Sequence, residues 1–172
     1  ILLVFLAAIV VAGGLLTMGL PRAQAGRAVA FPHGLTWFNV ARPLTLAELR
    51  GRVVLLDFFT PGCINCIHML PDEKRLEKHF GTRLVVIGID SPKFSASKTR
   101  EGLESFIDRY DLRHPIVLDP NMQMWNAYGV QAWPTLVLLG PDGNVAKTFI
   151  GEQSYEQLAG PVEAALANAP PA

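Results

Sequence analysis

The sequence predicts an α/β fold in which a mixed central sheet is flanked by helices. Two runs, Val53–Phe59 and Leu84–Ile89, are too continuously apolar for strands with a solvent-facing side, so we expect both to be buried parallel strands. A helical stretch separates them. Further along, Thr135–Leu139 and Asn144–Ile150 flank the turn sequence Gly140-Pro141-Asp142-Gly143 and predict a hairpin. Parallel strands joined by helices place the chain in the α/β class.

The remaining elements follow from hydrophobic spacing along the chain. Apolar residues at helical spacing predict helices, and short apolar or alternating runs predict strands. The other predicted elements are, in chain order, a strand over Leu35–Val40, a turn of helix over Thr45–Leu49, a helix over Cys63–Phe80 interrupted by Pro71, a helix over Lys98–Tyr110, a strand over Pro115–Asp119, a short helix over Met122–Tyr128 and a closing helix over Ser154–Ala167 that Ser154 caps.

The first twenty residues form an apolar run without a charged side chain, which is long enough to cross a bilayer. Pro21 and the small-x-small sequence Ala23-Gln24-Ala25 are typical of a cleaved secretory signal, so a permanent anchor and a signal peptide are both open. We expect export to a periplasmic or other extracytoplasmic space, with attachment to the membrane if the segment is uncleaved. The predicted division is an anchor or signal at 1–20, a linker at 21–32, a folded domain at 33–165 and a tail at 166–172.

Charge excludes one class of partner. Fifteen Lys and Arg balance fifteen Asp and Glu, giving a formal net charge of +0. A chain without a net positive field offers no electrostatic attraction for a phosphate backbone. We therefore expect no nucleic-acid partner.

The only two cysteines of the chain stand in Cys63-Ile64-Asn65-Cys66, at the junction of a predicted strand and helix. The first turn of a helix stabilises a thiolate, which favours Cys63 as a nucleophile. Cys66 lies three residues on, where it can attack a mixed disulfide on Cys63. Half of a zinc site and two inert thiols are the alternatives, but no second cysteine pair is present and the four histidines are scattered. We expect a redox-active disulfide, without a metal or bound cofactor.

Four signals around the cysteines resemble the thioredoxin superfamily over about residues 33–165. Asp57 stands six residues before Cys63, like the buried aspartate of that family, and Pro71 stands eight residues after it, like the family's helix proline. Trp133-Pro134-Thr135-Leu136 resembles the family's cis-proline loop, and Gly151 follows the last hairpin strand as the family's glycine does. The resemblance implies a thioredoxin-like fold.

The residues next to the cysteines indicate which members of the superfamily the chain resembles most. The residues around the cysteines are similar to the thioredoxin-like domain that accompanies NHL repeats, and the βα insertion over 91–111 resembles exported, membrane-tethered TlpA-like reductases. The chain departs from thioredoxin where Ile64-Asn65 replaces Gly-Pro and where Gly62 replaces a tryptophan.

The resemblance also implies roles for the site residues. Cys63 and Cys66 would exchange a disulfide with cysteines of substrate proteins, Asp57 would take the proton of Cys66, and Trp133 and Pro134 would dock the substrate. If the protein acts as a reductase, the resemblance implies a membrane electron donor as a further partner. Taken alone, the residues leave open a purely structural Asp57, an ordinary turn at Pro134 and a core position for Trp133.

Three other residues suggest alternative sites. His68 lies off the helical face of the cysteines and is expected on the solvated surface. His114 is a candidate third ligand beside the cysteines for Cu(I), as in copper-delivery members of the same fold. Thr60 stands three residues before Cys63, as in the T-x-x-C of peroxiredoxins, although Leu56 replaces the proline of that motif. The predicted function is thiol-disulfide exchange, with a Cu(I)-binding module and a thiol peroxidase as alternatives.

Overall fold

A computed structural model describes residues 26–94 and 98–169 of the chain. Within these residues, six strands form one mixed sheet in the spatial order β1-β4-β3-β2-β5-β6. The strands are β1 (Thr36–Phe38), β2 (Val53–Phe59), β3 (Leu84–Asp90), β4 (Ile116–Leu118), β5 (Thr135–Leu139) and β6 (Val145–Ile150). β2, β3 and β4 run parallel, whereas β1, β5 and β6 pair antiparallel to their neighbours. The predicted α/β class, buried parallel strands and hairpin are confirmed.

The described helices are α1 (Ile64–Phe80), α2 (Arg100–Tyr110), α3 (Gln123–Ala127) and α4 (Tyr155–Leu166), and a 3₁₀ turn follows α1 at Gly81–Arg83. Ser154 caps α4 in a capping box with Gln157, as its sequence predicts. Pro71 lies inside α1 without ending it, and Met69, Leu70 and Glu73 on either side of it are buried. The helical turn predicted at Thr45–Leu49 is a run of hydrogen-bonded turns that Gly51 redirects into β2 with a φ of 82°.

Side-chain alternation along β2 assigns its residues to two cores. Val53 and Leu55 pack with α1 and α4, whereas Val54, Leu56 and Phe58 pack on the opposite face with α3. Successive strand residues point to opposite faces, so Asp57 shares the face of Val53 and Leu55. The sheet therefore directs Asp57 toward α1, the helix that carries Cys66.

Residues within the segment predicted as a linker pack on the hairpin. The backbone N–H of Ala28 donates to the Gly143 carbonyl at 3.0 Å, and that of Val145 donates to the Gly26 carbonyl at 2.9 Å. Ala28 itself is buried. The packed part of the chain therefore extends before residue 33, because these backbone groups continue the pairing at the hairpin turn.

No helix in the described ranges is both long enough and apolar enough to cross a membrane. The predicted anchor or signal at 1–20 lies outside those ranges.

Candidate active site

Cys63 and Cys66 form a disulfide at the start of α1, with their Cα atoms 5.3 Å apart. Cys63 is the N-cap of the helix, and its sulfur accepts a hydrogen bond from the Cys66 N–H at 3.3 Å. The Cys63 N–H donates to the Thr60 carbonyl at 3.1 Å, which fixes the turn between β2 and α1. After reduction, the same N–H and the positive end of the helix would face a Cys63 thiolate.

The two sulfurs differ in exposure. Cys66 is buried, with 3% of its surface accessible, whereas Cys63 is half-buried and lines a surface cavity. The first turn of α1 carries no acidic side chain that would oppose a thiolate. An incoming disulfide can therefore reach Cys63 directly, and Cys66 only through Cys63.

Asp57 is a buried carboxyl group behind the cysteines. It lies in the middle of β2 between Gly88 of β3 and Leu136 of β5, and its Oδ1 finds no hydrogen-bond partner among the described residues. Burial raises the pKa of Asp57 to about 7, because a charged carboxylate loses its hydration there, and His114 partly opposes that rise. Such a group exchanges a proton near neutral pH.

Glu73 and His114 interact with Asp57, and Glu77 interacts with both of them, a group that sequence reasoning did not connect with Asp57. Glu73 of α1 is buried without a hydrogen-bond partner in the described part of the chain, and burial together with the nearby Asp57 raises its pKa well above the usual range. His114 is buried and lies 3.4 Å, Nδ1 to Oε2, from the partly exposed Glu77. The sequence does contain one indication of this group. Cys66, Glu73 and Glu77 are spaced seven and four residues apart, which places both glutamates on the same helix face as Cys66.

The loop before β5 borders the disulfide. The Trp133–Pro134 peptide bond is cis, as the resemblance predicts. Trp133 packs on Trp125 with ring centroids 4.1 Å apart, and its Nε1 donates to the Ser91 carbonyl at 2.9 Å. It also lines, with Cys63, a cavity of about 310 Å³. Trp133 therefore occupies both positions that the sequence left open, a core contact and a wall of the cavity.

Pro134 is held by the loop after the hairpin. Its carbonyl accepts a hydrogen bond from the Gly151 N–H at 2.9 Å, and Gly151 has a φ of 84°, a backbone conformation that favours glycine. His68 of α1 pairs with Glu152 of the same loop at 3.2 Å, and both side chains are exposed. The surface position predicted for His68 is confirmed.

The two alternative chemistries rest on residues that have other contacts. His114, considered as a copper ligand, faces Glu77. Within residues 26–94 and 98–169, no group of three or more His, Cys, Asp or Glu side chains could hold a metal ion. The Thr60 hydroxyl accepts a hydrogen bond from the Lys93 N–H at 3.3 Å.

Comparisons with known proteins agree with this geometry. A family model described as thioredoxin-like matches residues 51–145. NHL repeat-containing protein 2 of Homo sapiens is 43% identical over 131 residues, which are 74% of this chain and 18% of that protein. The thiol-disulfide oxidoreductase ResA of Bacillus cereus is 29% identical over 119 residues, which cover 69% of this chain and 66% of that protein. The chain thus spans less than a fifth of the first relative, at 18% of its length.

Solved structures share the fold. The crystal structure of a thioredoxin-like superfamily protein superposes with a TM-score of 0.77 at 26% identity, covering 85% of this chain and 99% of the other. A thiol:disulfide interchange protein DsbE from Chlorobium tepidum gives a TM-score of 0.71 at 21% identity, with 82% and 96% covered, and this likeness concerns the fold alone. The chain therefore belongs to the thioredoxin-like family.

Proposed function

We propose that this protein is an exported thiol-disulfide oxidoreductase that exchanges its Cys63–Cys66 pair with cysteines of substrate proteins. The observation that carries the proposal is the unequal disulfide, with one half-buried sulfur at a helix N-terminus and one buried sulfur on the helix face toward Asp57. Family membership supports it, as does the similarity to relatives named for this chemistry.

Cys63 begins the exchange in the reduced enzyme. Its thiolate attacks one sulfur of a substrate disulfide, forms a mixed disulfide and releases the other substrate sulfur as a thiolate. The accessible cavity beside Cys63 and the Cys66 N–H at 3.3 Å from its sulfur support this assignment. The positive end of a helix favours a thiolate over a thiol, which supports Cys63 as the attacking sulfur.

Cys66 completes the exchange. Its thiol loses a proton, and the thiolate attacks the Cys63 sulfur, which forms the Cys63–Cys66 disulfide and expels the second substrate thiolate. The enzyme dithiol is oxidised and the substrate disulfide is reduced, with two electrons transferred. Asp57, whose pKa of about 7 lets it accept a proton near neutral pH, is the base that we assign to this step.

The substrate docks beside the disulfide. Ile64, with 60% of its surface exposed, and Phe94, with 56% exposed, border the cavity that Cys63 and Trp133 line. Lys93 lies over Trp133, with Nζ 5.9 Å from the ring centroid, and adds a positive charge. These features suit an extended substrate segment that carries apolar and acidic residues beside its cysteine, aligned along the Trp133-Pro134 loop.

Export is supported by the apolar run at 1–20, and the segment either remains as an anchor or is removed. Fusion of the full chain to an alkaline phosphatase that is active only outside the cytoplasm tests this part. We expect an active fusion, and an inactive one with intact expression would contradict export. The mass of the recovered protein then distinguishes the anchored from the cleaved form.

Reduction of insulin by dithiothreitol tests the reaction. We expect the wild-type chain to accelerate insulin reduction and Cys63→Ser to lose the acceleration completely. Cys66→Ser retains the nucleophile and should accumulate a mixed disulfide that mass spectrometry detects. His68→Gln, at an exposed ion pair on the same helix, serves as the matched control and should behave as wild type. Acceleration that survives Cys63→Ser would refute the proposal.

A further inference from the structure

The absence of a side chain at Gly88 brings His114 opposite Asp57. Asp57 pairs with Gly88 in the parallel register of β2 and β3, and Gly88 pairs with Ile116 at the start of β4. Register partners on neighbouring strands point to the same face of a sheet, about 4.8 Å apart. A Cβ on Gly88 would lie 3.4 Å from His114 Nε2 and only 3.0 Å from Phe59 Cε1. The imidazole therefore faces Asp57 across the space that glycine leaves open.

The other end of the imidazole faces outward along α1. Nδ1 of His114 lies 3.4 Å from Oε2 of Glu77, and the side chain of Glu77 is 31% exposed whereas that of His114 is 4% exposed. Asn39 fixes the loop that presents the histidine, because its side-chain amide donates to the carbonyls of Leu112 and His114 at 3.0 and 2.9 Å. Asp57, His114 and Glu77 thus form a line from the buried carboxyl group to solvent.

We propose that His114 is a positioning residue for disulfide exchange, which with Glu77 holds Asp57 in its proton-accepting form and conducts the accepted proton to solvent. The inference rests on the proposed function. When Cys66 gives its proton to Asp57, the carboxyl group is closed off from water and must lose that proton before the next cycle. A protonated imidazole gives one proton from Nδ1 toward the partly exposed Glu77 and then takes another at Nε2 from the side of Asp57, so His114 can return the accepted proton to solvent.

The charged surroundings of Asp57 give the direction of the effect. Glu73 approaches from α1 and His114 from the loop before β4, while Glu77 and Asp72 act on Glu73. Positive charge on His114 favours the Asp57 carboxylate, whereas burial disfavours it. Removal of the imidazole therefore leaves burial unopposed and raises the pKa of Asp57 further.

The test separates the two thiol steps in a single reaction. The reduced protein is mixed with an equimolar amount of 5,5′-dithiobis(2-nitrobenzoate), and the coloured thiolate is followed by stopped flow from pH 5.5 to 9. Cys63 attacks the probe and releases one aryl thiolate. Cys66 then attacks the mixed disulfide on Cys63 and releases the second, with its proton passing to Asp57. The first phase reports Cys63 and the second reports the step that His114 assists.

In His114→Gln we expect the pH midpoint of the second phase to rise by about one unit and the phase to be about fivefold slower at pH 7. The reason is that a nearby opposite charge lowers the pKa of a carboxyl group by at least about one unit, and this variant removes that charge. The first phase should be unchanged. Glu77→Gln, at a partly exposed site, should shift the second phase in the same direction by less. His68→Gln, which removes an exposed contact between α1 and Glu152 of the loop after β6, is the matched control and should leave both phases unchanged.

The failures are distinguishable. A wild-type protein that gives no second phase would contradict the proposed function itself. A normal wild-type second phase whose pH midpoint is the same in His114→Gln would overturn only the role of His114. If His114→Gln does not fold, the same comparison is made with Glu77→Gln, and an unchanged midpoint there overturns the inference.

Discussion

Replacement of Asp57 by asparagine should stabilise the protein, and increasingly so as the pH rises. Folding raises the pKa of Asp57 from 3.8 to about 7, chiefly because burial removes water from the carboxylate. The folded state therefore binds a proton that the unfolded state releases, and stability that is fully present below pH 3.8 is lost progressively up to about pH 7. At about 1.4 kcal/mol per pKa unit, the buried carboxyl group costs the fold about 4 kcal/mol at pH 8, where it is ionised, and about 2 kcal/mol at pH 5, where it must take up a proton.

The difference between the two pH values is the measurable quantity. We expect urea unfolding of the oxidised protein to show that Asp57→Asn gains about 2 kcal/mol more over wild type at pH 8 than at pH 5. Asp90 is a second buried carboxyl group whose pKa is raised. Because it is present in both proteins, its titration cancels from the comparison. Asp108→Asn, at an exposed position of α2, is the control and should give no such difference. An equal gain or loss for Asp57→Asn at both pH values would refute the burial argument.

Three further changes test other parts of the structure. Both carboxylate oxygens of Asp90 lack a hydrogen-bond partner in the described chain, and burial raises its pKa to about 8. The stability gained by Asp90→Asn over wild type should therefore increase by up to about 1.4 kcal/mol per pH unit between pH 4 and 8. Urea unfolding at each pH would measure this increase. Gly88→Ala brings a methyl group to 3.0 Å from Phe59 and should cost about 1 to 3 kcal/mol in urea unfolding, whereas an unchanged midpoint would contradict the close packing. Ser154→Ala removes the capping box of α4 and should cost about 1 kcal/mol, seen as a lower Tm, with the exposed Ser105→Ala as control.

The fold was predictable where hydrophobic pattern and turn chemistry agree. Val53–Phe59 is buried at every position, which a parallel central strand requires, and the Gly-Pro-Asp-Gly turn fixes the hairpin. The sequence was less informative where tertiary contacts decide. Residues 26–28 have linker composition but pair with the hairpin turn, and Pro71 lies inside α1 without ending it.

The sequence predicts only those parts of the site whose residues lie close together in the chain. The spacing of Cys63 and Cys66 and their place after a buried strand indicate the disulfide, because both cysteines belong to one helical turn. The contacts of His114 depend on the register of β2, β3 and β4, which brings together residues 57, 88 and 116. No local pattern encodes that register. From the sequence alone, His114 is therefore a candidate metal ligand, and its position beside a buried carboxyl group is not apparent.

Stability and rate together decide between the two roles that the sequence left open for Asp57. A hydrogen-bonded structural aspartate would destabilise the protein when replaced, because its partners would lose their acceptor. A proton acceptor that is buried with an unpartnered oxygen should do the opposite, since its replacement relieves the fold of a charge while slowing attack by Cys66. Asp57→Asn should therefore raise stability and slow the second thiolate-release phase in the same protein. A variant that loses stability yet retains that phase would make Asp57 structural.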